Sequence, residues 1–367
     1  MKSSIDALES QPNNPGRRLV FLDVLKGLAI IAVICDHAQC WSTLCPLTFL
    51  PHATTIFSVS LFILCAGYTS AMSLERHKTS PAATSFSWIR KKVVHILTCY
   101  FIATAVYLFF STPNHMIRFS QFVYGCISFK TAPPFYFIVI FLQLLIVAPF
   151  FYQLFSAKGG TPHLFLKILF YLLTILLAFG CMKFTRVDDL YGQNMFTGGK
   201  YLFGGPYLIL YVTGQIIYIY KDFFLNKKNN LIFLVVSICL FIILLFKPFN
   251  GIKGIIYVNP PGFRLFFYTA TIFFGVSLLF LWAPAFGAIV LSPVSFLGKY
   301  SLEIFLYHVL VMNLCAKYAG IFPNTSAWRI FLGAAAFICY LIIPILCTML
   351  CRYLKKLLNT YLKASAQ

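Results

Sequence analysis

Stretches of about twenty apolar residues, the length an α-helix needs to cross a hydrocarbon core of about 30 Å, recur along the whole of this 367-residue chain. Ten such windows are separated by short polar segments, at 19–40, 54–74, 93–111, 135–155, 164–184, 206–220, 231–247, 264–282, 300–318 and 328–351. Lipid offers the backbone no hydrogen-bond partner, so segments of this kind must be helices that satisfy their own peptide groups. The expected fold is all-α, a polytopic membrane protein of about ten transmembrane helices. Composition leaves no soluble alternative, because 60% of the residues are hydrophobic and only 10% are charged, against about 25% charged in an ordinary soluble domain. The expected organisation is a polar cytoplasmic tail at 1–16, one integral membrane domain at 17–357 and a short cytoplasmic tail at 358–367.

The formal net charge of +20 is not a nucleic-acid footprint. Lys and Arg gather in short segments between apolar runs and form no basic face interleaved with aromatics. Their natural partners are the headgroups of the lipid bilayer and anionic metabolites. The larger share of the 29 Lys and Arg falls on one side if the N-terminus is cytoplasmic, and the positive-inside rule then puts both termini there. The twelve cysteines lie mostly within apolar runs without a CxxC pair and read as small hydrophobes. Cys40 and Cys45 remain a candidate pair for an oxidising compartment. The first apolar run contains Asp23 and Lys26 and lacks a small-residue cleavage site, so it reads as a retained span rather than a signal peptide.

That first run concentrates chemistry. Arg18, Asp23, Lys26, Asp36 and His37 lie in or beside it, and each charge at mid-membrane costs roughly 2.5–3.5 kcal/mol on insertion scales. Arg18, Asp23 and Lys26 either sit at the headgroup boundary or serve a site. On an ideal helix Asp23 and His37 return to within about 40° of one face, and the fourteen residues between them rise about 21 Å. Asp36 points about 100° away from His37 on the same construction.

Two further groups stand out. In Gly298-Lys299-Tyr300-Ser301-Leu302-Glu303-Ile304-Phe305-Leu306-Tyr307-His308, a continuous helix puts Ser301 and His308 on one face and His308 about 13 Å in from Lys299. A buried imidazole there needs a partner, for a helix–helix contact or for chemistry. Arg76, Lys78, Arg90, Lys91, Lys92 and His95 join Arg17, Arg18 and Lys26 at the inner boundary, where cations of this density suit phosphate groups. The segment 185–205, with Asp188, Asp189, aromatics and five glycines, is the longest outer loop and either a connector or an acceptor site. No two histidines are spaced i, i+3 or i, i+4, and HExxH is missing, which disfavours a metal site. Neither a phosphate-binding glycine loop nor Gly-x-Ser-x-Gly is found.

The spacing Arg18-x4-Asp23-x2-Lys26-Gly27-x9-His37 resembles the first-helix signature of the membrane acyltransferase-3 family. Ser60 through Tyr68 is similar to its Phe-Phe-x-Leu-Ser-Gly-Phe/Tyr stretch. Phe135-Tyr136-Phe137, Gln143 and Pro149 resemble its Tyr-Phe-x5-Gln-x5-Pro segment, and Gly298 to His308 resembles its Gly-x2-Ser-x2-Ile-Tyr-Leu-x-His ending. Lys91-Lys92-Val93-Val94-His95 departs from the family's Arg-Arg-x-x-Arg, and Thr98 replaces a proline. The resemblance implies an enzyme that takes an acyl group, acetyl above all, from cytoplasmic acyl-CoA to a hydroxyl of a surface polysaccharide or lipid-linked glycan, in a bacterial inner membrane.

On that basis His37 is the expected general base, with Asp36 as a group that could orient it. His308 and Ser301 are the expected groups for acceptor positioning or oxyanion stabilisation. Arg17, Arg18, Asp23, Lys26, Arg90, Lys91, Lys92 and His95 are expected on the acyl-CoA side, with Asp23 ordering Arg18 or Lys26. A covalent acyl-enzyme on Cys35, Cys40 or His37 stays open at this point, as do a transporter or flippase and a catalytically silent scaffold.

Overall fold

The computed structural model describes residues 19–41, 54–78, 85–112, 116–157, 161–184, 202–249, 251, 261–319 and 326–365. Arg17, Arg18, the tail 1–16, most of the 185–205 loop and Cys45 lie outside the described residues, as does the side chain of Cys40. Every regular element among the described residues is helical. The principal helices are α1 (Val20–Trp41), α2 (Ser58–Lys78), α3 (Ser85–Ser111), α4 (Phe119–Ser128), α5 (Tyr136–Ser156) and α6 (Thr161–Phe184), then α7 (Tyr207–Ile219), α8 (Lys227–Ile243), α9 (Phe263–Trp282), α10 (Ser292–Lys299), α11 (Ser301–Ala319) and α12 (Ser326–Ser365).

Each of the ten expected windows carries one of these helices, but length and apolarity single out fewer. Six described helices are long and apolar enough to cross a bilayer, or seven if a bent pair counts as one span. The shortfall has physical reasons. Helix α1 contains Asp23, Lys26 and Asp36, and α7 is 13 residues long, a rise of only about 20 Å. Ser292–Lys299 and Ser301–Lys317 meet at 82°, so the stretch expected to run straight from Lys299 to His308 is broken at Tyr300. The ring of Tyr300 marks no break in the sequence, yet its backbone N–H closes a tight turn on the Leu297 carbonyl at 3.1 Å.

Burial sorts the helices into an inner and an outer set. Most of α1 is core, including Phe21, Leu25, Ile30 and Ile34 at 0% exposure. This is how its ionisable residues are tolerated, since protein rather than lipid surrounds them. Of the apolar windows, 67% is buried in α2 but only 17% in α6. The outward-facing Leu164, Phe165, Ile168 and Leu176 of α6 form the apolar face that a bilayer covers.

Two backbone-to-backbone crossings hold the inner set together. A Cβ at Gly67 of α2 would overlap the Tyr211 carbonyl of α7, and one at Gly214 of α7 would overlap the Leu64 carbonyl of α2. The second crossing joins α1 and α10 in the same reciprocal way, Gly27 against the Val294 carbonyl and Gly298 against the Asp23 carbonyl. Small residues at such points give membrane helices their closest packing. Gly67→Ala should therefore lower the melting temperature in detergent, by an overpacking cost of about 1–3 kcal/mol. Gly180→Ala on α6, where nothing lies within 4 Å, should leave it unchanged or raise it.

Pro149 interrupts α5 and has no N–H to give to the carbonyl four residues back. Next to it, the Gln215 side-chain amide of α7 donates to the Ala148 carbonyl at 3.1 Å, which ties α5 to α7 beside the proline.

Candidate active site

The α10–α11 bend turns the chain back onto α1. Gly298 anchors α10 beside Asp23, and α11 then carries His308 to His37. His37 Nδ1 and His308 Nε2 lie 2.6 Å apart. The ring centroids are 4.9 Å apart with planes inclined by 11°. A face-to-face stack would hold all atoms at van der Waals separation, so rings this nearly parallel reach a nitrogen–nitrogen hydrogen bond only by meeting edge to edge.

The direction of that bond follows from its surroundings. His308 is fully buried, and its Nδ1 faces the carbonyl oxygens of Phe305 at 2.8 Å and Ile304 at 3.1 Å. Carbonyls only accept, so Nδ1 carries the hydrogen. In the neutral ring Nε2 is then a lone pair, and His37 Nδ1–H donates to it. The remaining lone pair of His37 is on Nε2. One tautomer of His37 is thus set by a residue 271 positions away in sequence.

Other contacts fix α11 where it does this. Its Leu310 backbone N–H donates to the Tyr107 hydroxyl of α3 at 2.9 Å. Phe305 packs on Phe137 of α5 with centroids 5.0 Å apart.

His37 borders a cavity of about 220 Å³, room for several waters at about 30 Å³ each. Val33, Asp36 and His37 line it from α1, spaced i, i+3, i+4 on one face. Asp36 therefore shares the cavity with His37, although the ideal-helix construction turns it away, because a cavity this broad spans more than one helical row. A long contact of 3.5 Å also joins Thr55 Oγ1 to Asp36 Oδ1. Opposite α1 stand the beginnings of three helices, with Ser58, Val59 and Ser60 of α2, Tyr136 of α5 and Tyr207 of α7.

The remaining expected site residues are distributed as follows. Ser301 is half-buried in the first turn of α11 and does not line the cavity. It shares the continuous helix α11 with His308, seven residues or two turns away on the same face, but only His308 reaches His37. Asp23 is 3% exposed and Lys26 half-buried, both near the start of α1. Arg90, Lys91, Lys92 and His95 lie near the start of α3, where Lys91, Lys92 and His95 are exposed. That region joins the end of α2, through Trp88 Nε1 to Ser73 Oγ at 3.0 Å and His77 Nε2 to Ser87 Oγ at 2.9 Å. The basic residues and the cavity thus lie at opposite ends of α2, and none of the former lines the latter.

Tyr136, Tyr207 and Ser60 line the cavity without having been given a role from sequence, although Ser60 and Tyr136 fall within the motif stretches. Tyr136 and Tyr207 each open a helix after a proline-containing turn, Pro133-Pro134 and Pro206, and that pairing of proline with tyrosine was the available signal. Ser60 opens the Ser60–Tyr68 stretch, but a serine inside an apolar run carries no chemical signal of its own. Among the described residues no three His, Cys, Asp or Glu side chains cluster as metal ligands, and Cys35 and Cys65 are buried.

The result is an all-α, polytopic membrane protein in which a hydrogen-bonded imidazole pair stands beside a polar-lined cavity, His37 at its wall and His308 buried behind it. The chain belongs to the acyltransferase-3 family, whose acyltransferase domain matches residues 19–353, and it is an integral membrane acyltransferase. No curated protein matches it significantly.

Proposed function

We propose that this acyltransferase moves an acyl group, acetyl in the simplest case, from cytoplasmic acyl-CoA to a hydroxyl of a surface polysaccharide or lipid-linked glycan. Residues 17–357 form the catalytic unit in a bacterial inner membrane, with both termini cytoplasmic, and the reaction belongs to transfer of acyl groups other than aminoacyl. The observation that carries the reading is the hydrogen-bonded pair of His37 and His308 at the cavity.

With its Nδ1–H committed to His308, His37 presents Nε2 as the base. The acceptor hydroxyl oxygen attacks the thioester carbonyl carbon as His37 Nε2 takes its proton. A C–O bond forms, the C–S bond breaks, and the proton passes from His37 to the departing sulfur. Neutral imidazole is suited to both transfers near pH 7. His308 supports the imidazolium of the intermediate by accepting its Nδ1–H, and Asp36 adds a carboxylate to the same cavity. Arg17, Arg18, Lys26, Arg90, Lys91, Lys92 and His95 bind the phosphates of the donor at the other end of the bundle, with Asp23 ordering the cations of α1. Separation of the two ends supports a donor and an acceptor arriving from opposite faces.

The test uses the full chain. In detergent, CoA and acetyl-CoA should raise the melting temperature by several degrees at saturation, as a bound ligand worth about 2.7 kcal/mol at one hundred times its Kd does. Membranes containing the protein should transfer label from [14C]acetyl-CoA to envelope glycan. Absence of both effects overturns the reading, and a glycan transporter would show neither.

A further inference from the structure

Hydroxyls inside these helices mostly bond back to a carbonyl of their own helix. Thr69 does so to Cys65 at 2.9 Å, Thr213 to Ile209 at 2.7 Å and Ser277 to Phe273 at 2.8 Å. Ser60 does not. It is 1% exposed, its Oγ has no hydrogen-bond partner among the described residues, and it lines the cavity that His37 borders. The Phe57 carbonyl, one turn back, is occupied by the Leu61 N–H at 2.8 Å. A buried hydroxyl without a partner is costly to keep, and the residue that carries this one is part of the cavity wall.

The ends of the helices around it favour negative charge. Ser60 is in the first turn of α2, and Tyr136 and Tyr207 are the first residues of α5 and α7. A helix start carries a partial positive charge. Three of them converge on this cavity. Other buried hydroxyls without partners, those of Thr104, Thr131 and Thr269, lie away from it.

We propose that Ser60 is a catalytic residue, the hydrogen-bond donor to the oxyanion formed during acyl transfer. This rests on the acyl-transfer reading above and deepens it. When the acceptor oxygen adds to the thioester carbon, the carbonyl π pair moves onto the carbonyl oxygen. Ser60 Oγ–H donates to that oxygen, and the starts of α2, α5 and α7 stabilise its charge. As the C–S bond breaks the pair returns to re-form the C=O, and Ser60 keeps its proton throughout. A donor prepositioned in the cavity wall strengthens its bond as charge develops, which is the requirement for lowering the barrier.

The experiment compares Ser60→Ala, Ser60→Thr and His37→Gln in membranes given [14C]acetyl-CoA, with melting temperatures measured in detergent. Ser60→Ala should lower kcat about 100-fold with little change in KM for acetyl-CoA. Its melting temperature should not fall, because the hydroxyl it removes has no partner in the protein. Ser60→Thr, which keeps the hydroxyl, should recover much of the loss. Wild-type kcat in Ser60→Ala overturns the proposal, as does a loss matched by a lowered melting temperature. If His37→Gln is inactive while Ser60→Ala is not impaired, Ser60 alone is misassigned. If His37→Gln is also fully active, the acyl-transfer reading of the cavity fails with it.

Discussion

His37→Ala and His37→Gln are expected to lower acyl transfer from [14C]acetyl-CoA by about 10²–10⁴-fold, the contribution of a positioned general base. Protein levels in the membrane and the melting temperature should stay near those of the parent, because His37 borders a cavity rather than filling a packed core. The loss should appear in kcat. Acetyl-CoA affinity, which the proposed function assigns to the basic residues at the opposite end of α2, should persist, so CoA should still stabilise the variant thermally. Retained transfer in a normally expressed His37→Ala protein would falsify the assignment. The glutamine variant adds information, since it keeps hydrogen bonding but cannot take up a proton, and should be as impaired as alanine.

His308→Ala should be nearly as damaging, by about 100-fold or more, although His308 is fully buried and does not line the cavity. Without the lone pair of His308 Nε2, nothing in the pair favours the His37 tautomer that leaves Nε2 basic, and the imidazolium loses its acceptor. A base held in the wrong tautomer loses several powers of ten in catalytic triads built on the same logic. His308→Gln places an amide oxygen near the position of the lost Nε2 and should retain clearly more activity than His308→Ala. Removing both histidines should cost little more than removing His37 alone, because residues acting as a unit are far from additive. A double variant with multiplied losses would show that the two rings act separately. Melting temperatures must accompany these rates, since His308→Ala also opens a space in the core.

The sequence made some of this legible and hid the rest for definable reasons. Apolar length carried the helices, and each of the ten windows holds one. The same signal could not show that α1 is enclosed by protein while α6 is exposed to lipid, because hydropathy reports composition and not neighbours. The break at Tyr300 was invisible, as neither glycine nor proline occupies it. A straight helix was therefore expected from Lys299 to His308, whereas only the part from Ser301 onward is continuous with His308. The resemblance selected His37 and His308 separately, but their pairing depends on which helices touch, and helical periodicity holds no such information. Asp36 stayed a candidate to orient His37 even though an ideal-helix angle, which treats a site as one row of residues, turned it away. The motif glycines Gly27, Gly67 and Gly298 gain a physical explanation only from the crossings, where each faces a backbone carbonyl of another helix.

The grip of α10 and α11 on α1 makes the interval from Gly298 to His308 a ruler. One end is fixed where Gly298 meets the Asp23 carbonyl, and the other where His308 meets His37. A single residue added to α11 before His308 turns the imidazole by about 100° and advances it about 1.5 Å, out of reach of its partner. Length can therefore vary in the loops of such a chain without harm to the imidazole pair, whereas this interval admits substitution but no change of length.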